Sequence, residues 1–189
     1  MIAATAIEYV LDLTQNSPFG VAYVYCNYKA REEQDVSVLL AAIIKQLVQG
    51  RLSAVQHVEQ LHQKHADRGT KPSLDEIYST LRAVLAHYPA VYIVIDALDE
   101  CQEHNRRQFL AKLRDLQAVQ DIRLMATSRF MPDIEDAFGG ASRLEVRASR
   151  EDIKRFVDGQ LYRLPACIQR NTKLEEMVQE EIANAVDGM

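Results

Sequence analysis

A chain of 189 residues is long enough for one domain with a hydrophobic core and a small appendage. Its 48% hydrophobic and 26% charged residues are ordinary for a globular protein, and its net charge of −5, without a basic stripe, argues against a nucleic-acid partner. No apolar run approaches the roughly 20 residues of a membrane span, so we expect no membrane partner either.

The cysteines and histidines predict neither a disulfide framework nor a metal centre. The three cysteines are odd in number and widely spaced, without a Cys-x-x-Cys pair, which favours a reducing, cytoplasmic compartment. His57, His62 and His65 have spacings that can share a helix face, but no acidic or thiol side chain is positioned to complete a metal site. We interpret this segment as a solvated helix.

Helical periodicity, strand-forming runs and turn residues alternate along the chain. Helices are predicted over residues 1–15, 36–49, 53–66, 74–88, 105–119, 132–138, 150–164 and 174–186, and strands over 20–27, 91–96, 121–129 and 142–146. Helix starts are marked by Asp35, by Ser73 with Glu76, and by Ser149 with Asp152. This order predicts an α/β fold with a parallel sheet and right-handed crossovers.

The predicted helix 105–119 carries basic side chains between its apolar positions. We expect these side chains to lie largely on a solvated face, because charged residues are rarely buried. They are Arg106, Arg107, Lys112 and Arg114.

A strand leads directly into an acidic cluster at residues 91–100. Its sequence is Val-Tyr-Ile-Val-Ile-Asp-Ala-Leu-Asp-Glu, and the continuous apolar run is typical of a strand buried on both faces. Carboxylates at the carboxyl end of a buried strand are costly unless they meet a cation, a donor or water. One hypothesis is a Walker-B-type strand, in which one carboxylate serves Mg²⁺ and another orients a water molecule. The alternative is a buried strand followed by an acidic helix start.

A second strand end, after residue 126, carries two hydroxyls and an arginine. Because the carboxyl ends of parallel strands meet at one sheet edge, both strand ends are expected to form one site for a nucleotide phosphate and Mg²⁺. The predicted roles are Asp96 as the Mg²⁺ ligand through its water shell, Asp99 or Glu100 as the group that polarises water, Thr127 and Ser128 as nucleotide-binding residues, and Arg129 as the contact of the terminal phosphate. The alternative is an ion pair between an acid and Arg129 that ties the strand ends together.

The run at residues 92–101, with its Asp-Ala-Leu-Asp-Glu-Cys ending, resembles the extended Walker B motif of NACHT-type NTPases. These are STAND-class P-loop proteins, and this version is similar to fungal nephrocystin-like NTPase domains that are often joined to ankyrin or other repeats. Residues 21–28 resemble the family's second strand, residues 124–129 its sensor 1 strand, and residues 144–153 its last core strand and the entry to a helical subdomain.

The resemblance implies a parallel-sheet P-loop NTPase core over residues 1–148 and the start of a helical subdomain over residues 149–189. It implies an NLR-like signalling switch that depends on ATP or GTP with Mg²⁺ in the intact family domain. Expected partners are a nucleotide and other proteins, including self-oligomerisation of the full-length protein. The alternatives are a non-catalytic protein-interaction module on a degenerate NTPase scaffold and, from another branch, a RecA-like or AAA+-type ATPase.

The family's phosphate-binding loop, Gly-x-x-x-x-Gly-Lys-[Ser/Thr], is not in this sequence, since none of its seven glycines precedes a lysine. Residues 1–5 look like those that follow this loop, and residues 187–189 resemble a motif that continues in relatives, so we expect a fragment that lacks the first strand and the loop. The alternative is a natural start at Met1. We expect strand 142–146 to lack its usual neighbour, the isolated chain to be weakly stable, and nucleotide hydrolysis to be negligible.

Overall fold

Three parallel strands form the sheet of this computed structural model, which describes residues 2–30 and 34–186. The predicted helix start at residue 1 and the motif at residues 187–189 lie outside the described residues. The chain divides into two units, residues 1–139 and 140–189, and each is described by itself. The sheet lies in the first unit and makes it an α/β structure, as predicted.

The strands are β1 (Gly20–Tyr25), β2 (Val91–Asp96) and β3 (Ile122–Ala126), with β2 between the other two. Tyr25 pairs with Asp96 in the β1–β2 register, and Ile95 pairs with Ala126 in the β2–β3 register. The three carboxyl ends therefore lie at the same sheet edge.

Helices α1 to α6 belong to the first unit. They are α1 (Ile2–Thr14), α2 (Val36–Gly50), α3 (Val55–Ala66), α4 (Leu74–Leu85), α5 (Glu103–Gln117) and α6 (Pro132–Ala137). Asp35 caps α2 by accepting a hydrogen bond from the Val38 amide at 2.8 Å, and Ser73 with Glu76 forms a complete capping box before α4. These caps confirm the predicted helix starts.

The central strand β2 is buried on both faces, as its apolar run predicts. Val91, Ile93 and Ile95 contribute to the main core with α2, α4 and α5, whereas Val94 points to the opposite face and packs with α1. Val91, Ile93, Val94 and Ile95 are each at most 2% exposed. Alternation with period two accounts for this division, because successive side chains of a strand point to opposite faces.

The second unit is helical. It contains α7 (Arg150–Asp158), α8 (Ala166–Gln169) and α9 (Thr172–Val186). Ser149 and Asp152 form the predicted capping box at the start of α7, and Ile153 and Val157 form a small buried cluster. Across residues 2–30 and 34–186, no helix combines the length and the apolar character needed to cross a membrane.

The predicted strand over residues 142–146 is wrong. This segment has no regular secondary structure, and Leu144 and Val146 are 84% and 57% exposed. A strand depends on hydrogen bonds to a neighbour, and the alternating pattern of residues 142–146 cannot supply that neighbour.

The predicted solvation of Arg106 on α5 is also wrong. Its side chain is 2% exposed and forms an ion pair with the Asp133 carboxylate of α6, with Nη2 and Oδ2 2.5 Å apart. The other terminal nitrogen, Nη1, donates to the Cys101 carbonyl at 3.1 Å. Arg106 therefore joins α5, α6 and the turn after β2, and the pKa of Asp133 is lowered by the hydrogen bond from the guanidinium.

Gly20 offers a test of the packing between β1 and α2. A methyl group added at its Cα would lie 2.8 Å from Leu47 Cδ2 and 3.0 Å from Val91 Cγ2. We expect Gly20→Ala to lower the free energy of unfolding by about 1–3 kcal/mol through overpacking, measured by urea denaturation. Gly139→Ala, whose added carbon would make only an ordinary contact at 3.4 Å, is the control and should change stability by less than about 0.5 kcal/mol. Equal effects of the two substitutions would contradict close packing at Gly20.

Candidate functional site

The sheet edge gathers the residues that the sequence assigns to a site. Asp96 is the last residue of β2, and Asp99 and Glu100 lie in the 3-10 turn Leu98–Glu100 that follows it. The residues after β3 begin with Thr127, whose amide donates to the Ile95 carbonyl at 2.9 Å and so extends the pairing of the two strands. The two polar strand ends are therefore adjacent, as parallel pairing requires.

Thr127 connects the two strand ends through its side chain. Its hydroxyl donates to Asp96 Oδ1 at 2.6 Å and accepts a hydrogen bond from the Ala97 amide at 3.0 Å. The Thr127 carbonyl accepts a third hydrogen bond, from the Leu98 amide, at 2.9 Å. One threonine thus orients the Asp96 carboxylate and fixes the start of the acidic turn.

Ala97 adopts a left-handed backbone conformation, with φ of 53°. A residue with a Cβ atom is disfavoured there by about 1–2 kcal/mol, because its Cβ crowds the following carbonyl oxygen. The hydrogen bonds to Thr127 hold this conformation in place. The bend that results turns the chain sharply after Asp96 and brings Asp99 back to the strand ends.

Asp99 and Arg129 form the ion pair that the sequence leaves open as the alternative to phosphate binding. Arg129 Nε lies 2.6 Å from Asp99 Oδ2, and the Arg129 amide donates to Asp99 Oδ1 at 3.2 Å. The Asp99 side chain is 5% exposed and that of Arg129 is 83% exposed. Burial of the Asp99 carboxyl favours its neutral form, but the hydrogen bonds from Arg129 outweigh this effect and lower the pKa of Asp99.

The side chains of Glu100 and Ser128 each form a hydrogen bond with a backbone group. Glu100 Oε2 accepts a hydrogen bond from the Tyr28 amide at 3.0 Å, which ties the acidic turn to the segment after β1. The Ser128 hydroxyl donates to the Arg129 carbonyl next to it. The sequence does not reveal the contact with Tyr28, because it is made by a backbone amide 72 positions away.

No group of three or more His, Cys, Asp or Glu side chains in the described part of the chain is arranged to hold a metal ion. The predicted role of Asp96 requires fewer protein ligands than such a group supplies. Mg²⁺ commonly takes one or two protein carboxylates and completes its shell with water and phosphate oxygens. The metal role of Asp96 and the nucleotide roles of the other five residues remain predictions.

Two cysteines lie beside this edge and were not assigned a role from the sequence. The Cys26 amide donates to the Asp96 carbonyl at 3.0 Å, and the thiols of Cys26 and Cys101 share a hydrogen bond. Both residues are buried and neither is in a disulfide. The bond to Cys101, burial, and the nearby carboxylates of Asp96 and Asp99 raise the pKa of Cys26 well above that of an ordinary thiol.

The lowered pKa of Asp99 predicts a pH dependence of stability. A carboxyl whose pKa is lower in the folded state stabilises that state above the ordinary value of about 3.9, and this stabilisation is lost as pH falls through the folded pKa. We expect Asp99→Asn to lower the free energy of unfolding by about 1–2 kcal/mol at pH 6, and by less at pH 3, in urea denaturation. Asp115→Asn, an exposed carboxylate on α5, is the control. A loss at pH 3 as large as at pH 6 would contradict the ion pair.

The burial of the two adjacent thiols predicts selective alkylation. With iodoacetamide at pH 8, we expect exposed Cys167 to react at least about tenfold faster than Cys26 and Cys101, because only an exposed thiolate is readily attacked. Peptide mass spectrometry gives the rate at each cysteine. In concentrated urea the three rates should converge, and similar rates in the native protein would show that the edge is open to solvent.

Comparisons with curated proteins and with solved structures do not identify a function for this sheet edge. A search of curated proteins gives no significant match. A solved structure titled "Structure of C. elegans PCH-2" is 12% identical, with a TM-score of 0.28, and the alignment covers 86% of this chain and 48% of that chain. The present chain thus spans about half of that protein, and a likeness this low carries no argument about fold or function.

The family comparison is more informative. The family model described as "Nephrocystin 3, N-terminal" matches residues 1–129. The match includes the three strands and ends at Arg129, so it takes in all six residues of the candidate site. Since it covers more than half of the sequence, the chain belongs to the nephrocystin 3 N-terminal family.

Proposed function

We propose that this chain is part of a cytoplasmic, nucleotide-dependent signalling switch, built on a NACHT/STAND-type P-loop NTPase core. The observation that carries the proposal is the meeting of two polar strand ends at the carboxyl edge of a parallel sheet, where Asp96 is bonded to Thr127. In open α/β sheets, ligands bind outside the carboxyl ends of the strands. Membership of the nephrocystin 3 N-terminal family supports this assignment.

The donor chemistry of this edge fits Mg²⁺. Asp96 supplies a carboxylate that is oriented through one oxygen by the Thr127 hydroxyl, and hard oxygen donors are the ligands that Mg²⁺ prefers. When bound, Mg²⁺ with ATP or GTP would supply a polarised phosphate. In this proposal Glu100, which is half-buried and accepts a hydrogen bond from the Tyr28 amide, takes a proton from a water molecule.

Arg129 supplies the proposed switch element. Its side chain is 83% exposed, and Asp99 holds the guanidinium at the sheet edge. A terminal phosphate would compete with the Asp99 carboxylate for the same guanidinium, because both anions accept hydrogen bonds from it. Loss of the phosphate would return Arg129 to Asp99. The two states of the switch would thus differ in the partner of one arginine.

The sequence sets a limit on this activity. Without a Gly-x-x-x-x-Gly-Lys-[Ser/Thr] loop, residues 1–189 have no row of backbone amides and no lysine of that motif to hold the β- and γ-phosphates. We therefore propose that these residues alone do not hydrolyse nucleotide, and that switching requires such a loop elsewhere in the protein. The partners would be other proteins, or further copies of the full-length protein.

The second candidate is a non-catalytic interaction module. The observation that favours it is that the site residues already have partners within the protein, since Asp99 binds Arg129 and Glu100 accepts a hydrogen bond from the Tyr28 amide. In this case, the acidic turn stabilises the sheet edge, and the scaffold serves protein contacts.

A nucleotide-hydrolysis assay tests the proposal that residues 1–189 alone are inactive. We expect purified residues 1–189 with Mg²⁺ and ATP or GTP to release phosphate no faster than the buffer, because the phosphates lack a binding loop. Asp96→Ala should leave this background unchanged. A turnover that Asp96→Ala abolishes would contradict the prediction.

A longer chain distinguishes the two candidates. If the coding sequence upstream includes the phosphate-binding loop, the switch hypothesis predicts that the longer protein binds Mg-nucleotide and that Asp96→Ala weakens binding at least about tenfold. Asp115→Asn is the matched control on the same unit and should bind like the wild type. The absence of such a loop, or binding that is indifferent to Asp96→Ala, would favour the interaction module.

A further inference from the structure

His57 and His87 share a hydrogen bond in a part of the molecule that the proposed switch does not use. His57 lies on α3, and His87 follows the end of α4. Their Nε2 atoms are 3.0 Å apart, and the ring centroids are 5.2 Å apart with the planes inclined by 66°. The centroid separation exceeds the nitrogen separation by almost two ring radii. The rings therefore meet head-on along a single N–H···N hydrogen bond.

This hydrogen bond forms when the pair is neutral and when it has gained one proton. In the neutral pair, one Nε2 carries a hydrogen and the other accepts it. Ser53 Oγ lies 3.2 Å from His87 Nδ1, and a hydroxyl suits either tautomer because it both donates and accepts. With one added proton, an imidazolium donates to a neutral ring, and the hydrogen bond becomes charge-assisted.

A second added proton breaks the hydrogen bond. With both rings protonated, each Nε2 carries a hydrogen that points at the other, and neither nitrogen has a lone pair to accept it. The two positive charges also repel each other at this distance. The Arg51 guanidinium, which donates to the His87 carbonyl, adds a fixed positive charge nearby. The doubly protonated pair cannot keep the contact between the two Nε2 atoms.

The other titratable groups around the pair already have partners. The cleft between α3 and α4, which His57 lines, has charged residues on both sides. Their ion pairs join Lys64 to Glu76, and Asp75 to Lys112 of α5. Tyr88, next to His87, donates its hydroxyl to the Leu47 carbonyl, and burial raises the pKa of Tyr88, so this side chain stays neutral.

Helix α3 depends on few contacts, so the loss of one matters. None of its residues is fully buried, and Val58 packs against the main core while partly exposed. At the other end of α3, His65 Nε2 lies 3.2 Å from Glu76 Oε1. Protonation of His65 strengthens its attraction to this carboxylate. The two ends of α3 therefore respond to acid in opposite ways.

We propose that the hydrogen bond between His57 and His87 is a pH-sensitive latch that fastens the start of α3 to the turn after α4. The latch is closed when the pair holds at most one added proton, and it opens when both imidazoles are protonated. The open state binds more protons than the closed state, so a fall in pH favours opening. Since an ordinary imidazole titrates near pH 6.5, opening takes place below about this pH. The face of α3 around Val58 is then released from the core.

Hydrogen exchange at pH 7.5 and pH 5 tests the latch on residues 1–189, with protection factors corrected for the intrinsic effect of pH. In the wild type, we expect the protection of amides 57–61 to fall at least about threefold between these pH values, because opening takes up a proton. In His57→Gln this fall should disappear, since glutamine forms hydrogen bonds but is not protonated. His62→Gln, at an exposed position on the same helix, is the matched control and should respond like the wild type. Protection that is independent of pH in the wild type, or an unchanged response in His57→Gln, would overturn the proposal.

Nitrogen-15 NMR of the imidazoles counts the protons directly. While exposed His62 becomes protonated, we expect His57 and His87 together to take up one proton. The second proton should enter at least about half a pH unit lower, because the two sites are coupled. In His87→Gln, whose folding circular dichroism establishes, His57 should titrate together with His62. Independent titration of His57 and His87 in the wild type, each in step with His62, would contradict the latch.

Discussion

The parallel register of β2 with both of its neighbours is the constraint on which the other features depend. It places Tyr25 beside Asp96 and Ala126 beside Ile95. Antiparallel pairing would have sent one of the polar strand ends to the opposite edge. Parallel pairing in turn requires long crossovers, and the helices that supply them cover the sheet and bury its central strand β2. The candidate site is therefore a consequence of how the core is built.

At the carboxyl edge of the sheet, the Thr127 hydroxyl at the end of β3 orients a carboxylate at the end of β2. It bonds to Asp96 and to the amide of Ala97, the residue in the left-handed conformation. Strained backbone of this kind persists only where its surroundings determine it, and it occurs preferentially at functional sites. A threonine at the end of β3 thus fixes both a carboxylate and the turn that carries Asp99. The two functional hypotheses agree on this geometry and differ on what Arg129 binds.

The sequence predicted correctly those parts of the fold that depend on residues close together in the chain. The apolar run of β2 and the capping boxes at Ser73 and Ser149 depend on neighbouring residues, and each was identified correctly. The strand at residues 142–146 was predicted wrongly because a strand needs a partner that its own pattern does not specify. Arg106 was predicted wrongly because its burial depends on Asp133, 27 positions away.

In the candidate site too, contacts between residues far apart in the chain could not be predicted from the sequence. Strand order and polarity were enough to predict that the Asp96 and Thr127 ends would meet, since parallel strands share their carboxyl edge. The bond between Glu100 and the Tyr28 amide, the thiol contact of Cys26 with Cys101, and the approach of His57 to His87 join residues 30 or more positions apart. Such contacts have no periodic signature in a single sequence, because they arise only when separate elements pack together.

The edge strand β3 has a consequence for how the protein behaves in concentrated solution. Within the described ranges β3 pairs with β2 alone, and an edge strand presents backbone groups to which another chain can add. Arg123 is the second residue of β3, where it stacks on Tyr92 and pairs with Asp121. A charge at this position discourages indiscriminate strand addition. Electrostatic protection of an edge strand weakens as ionic strength rises, so we expect salt to favour edge-to-edge self-association through β3.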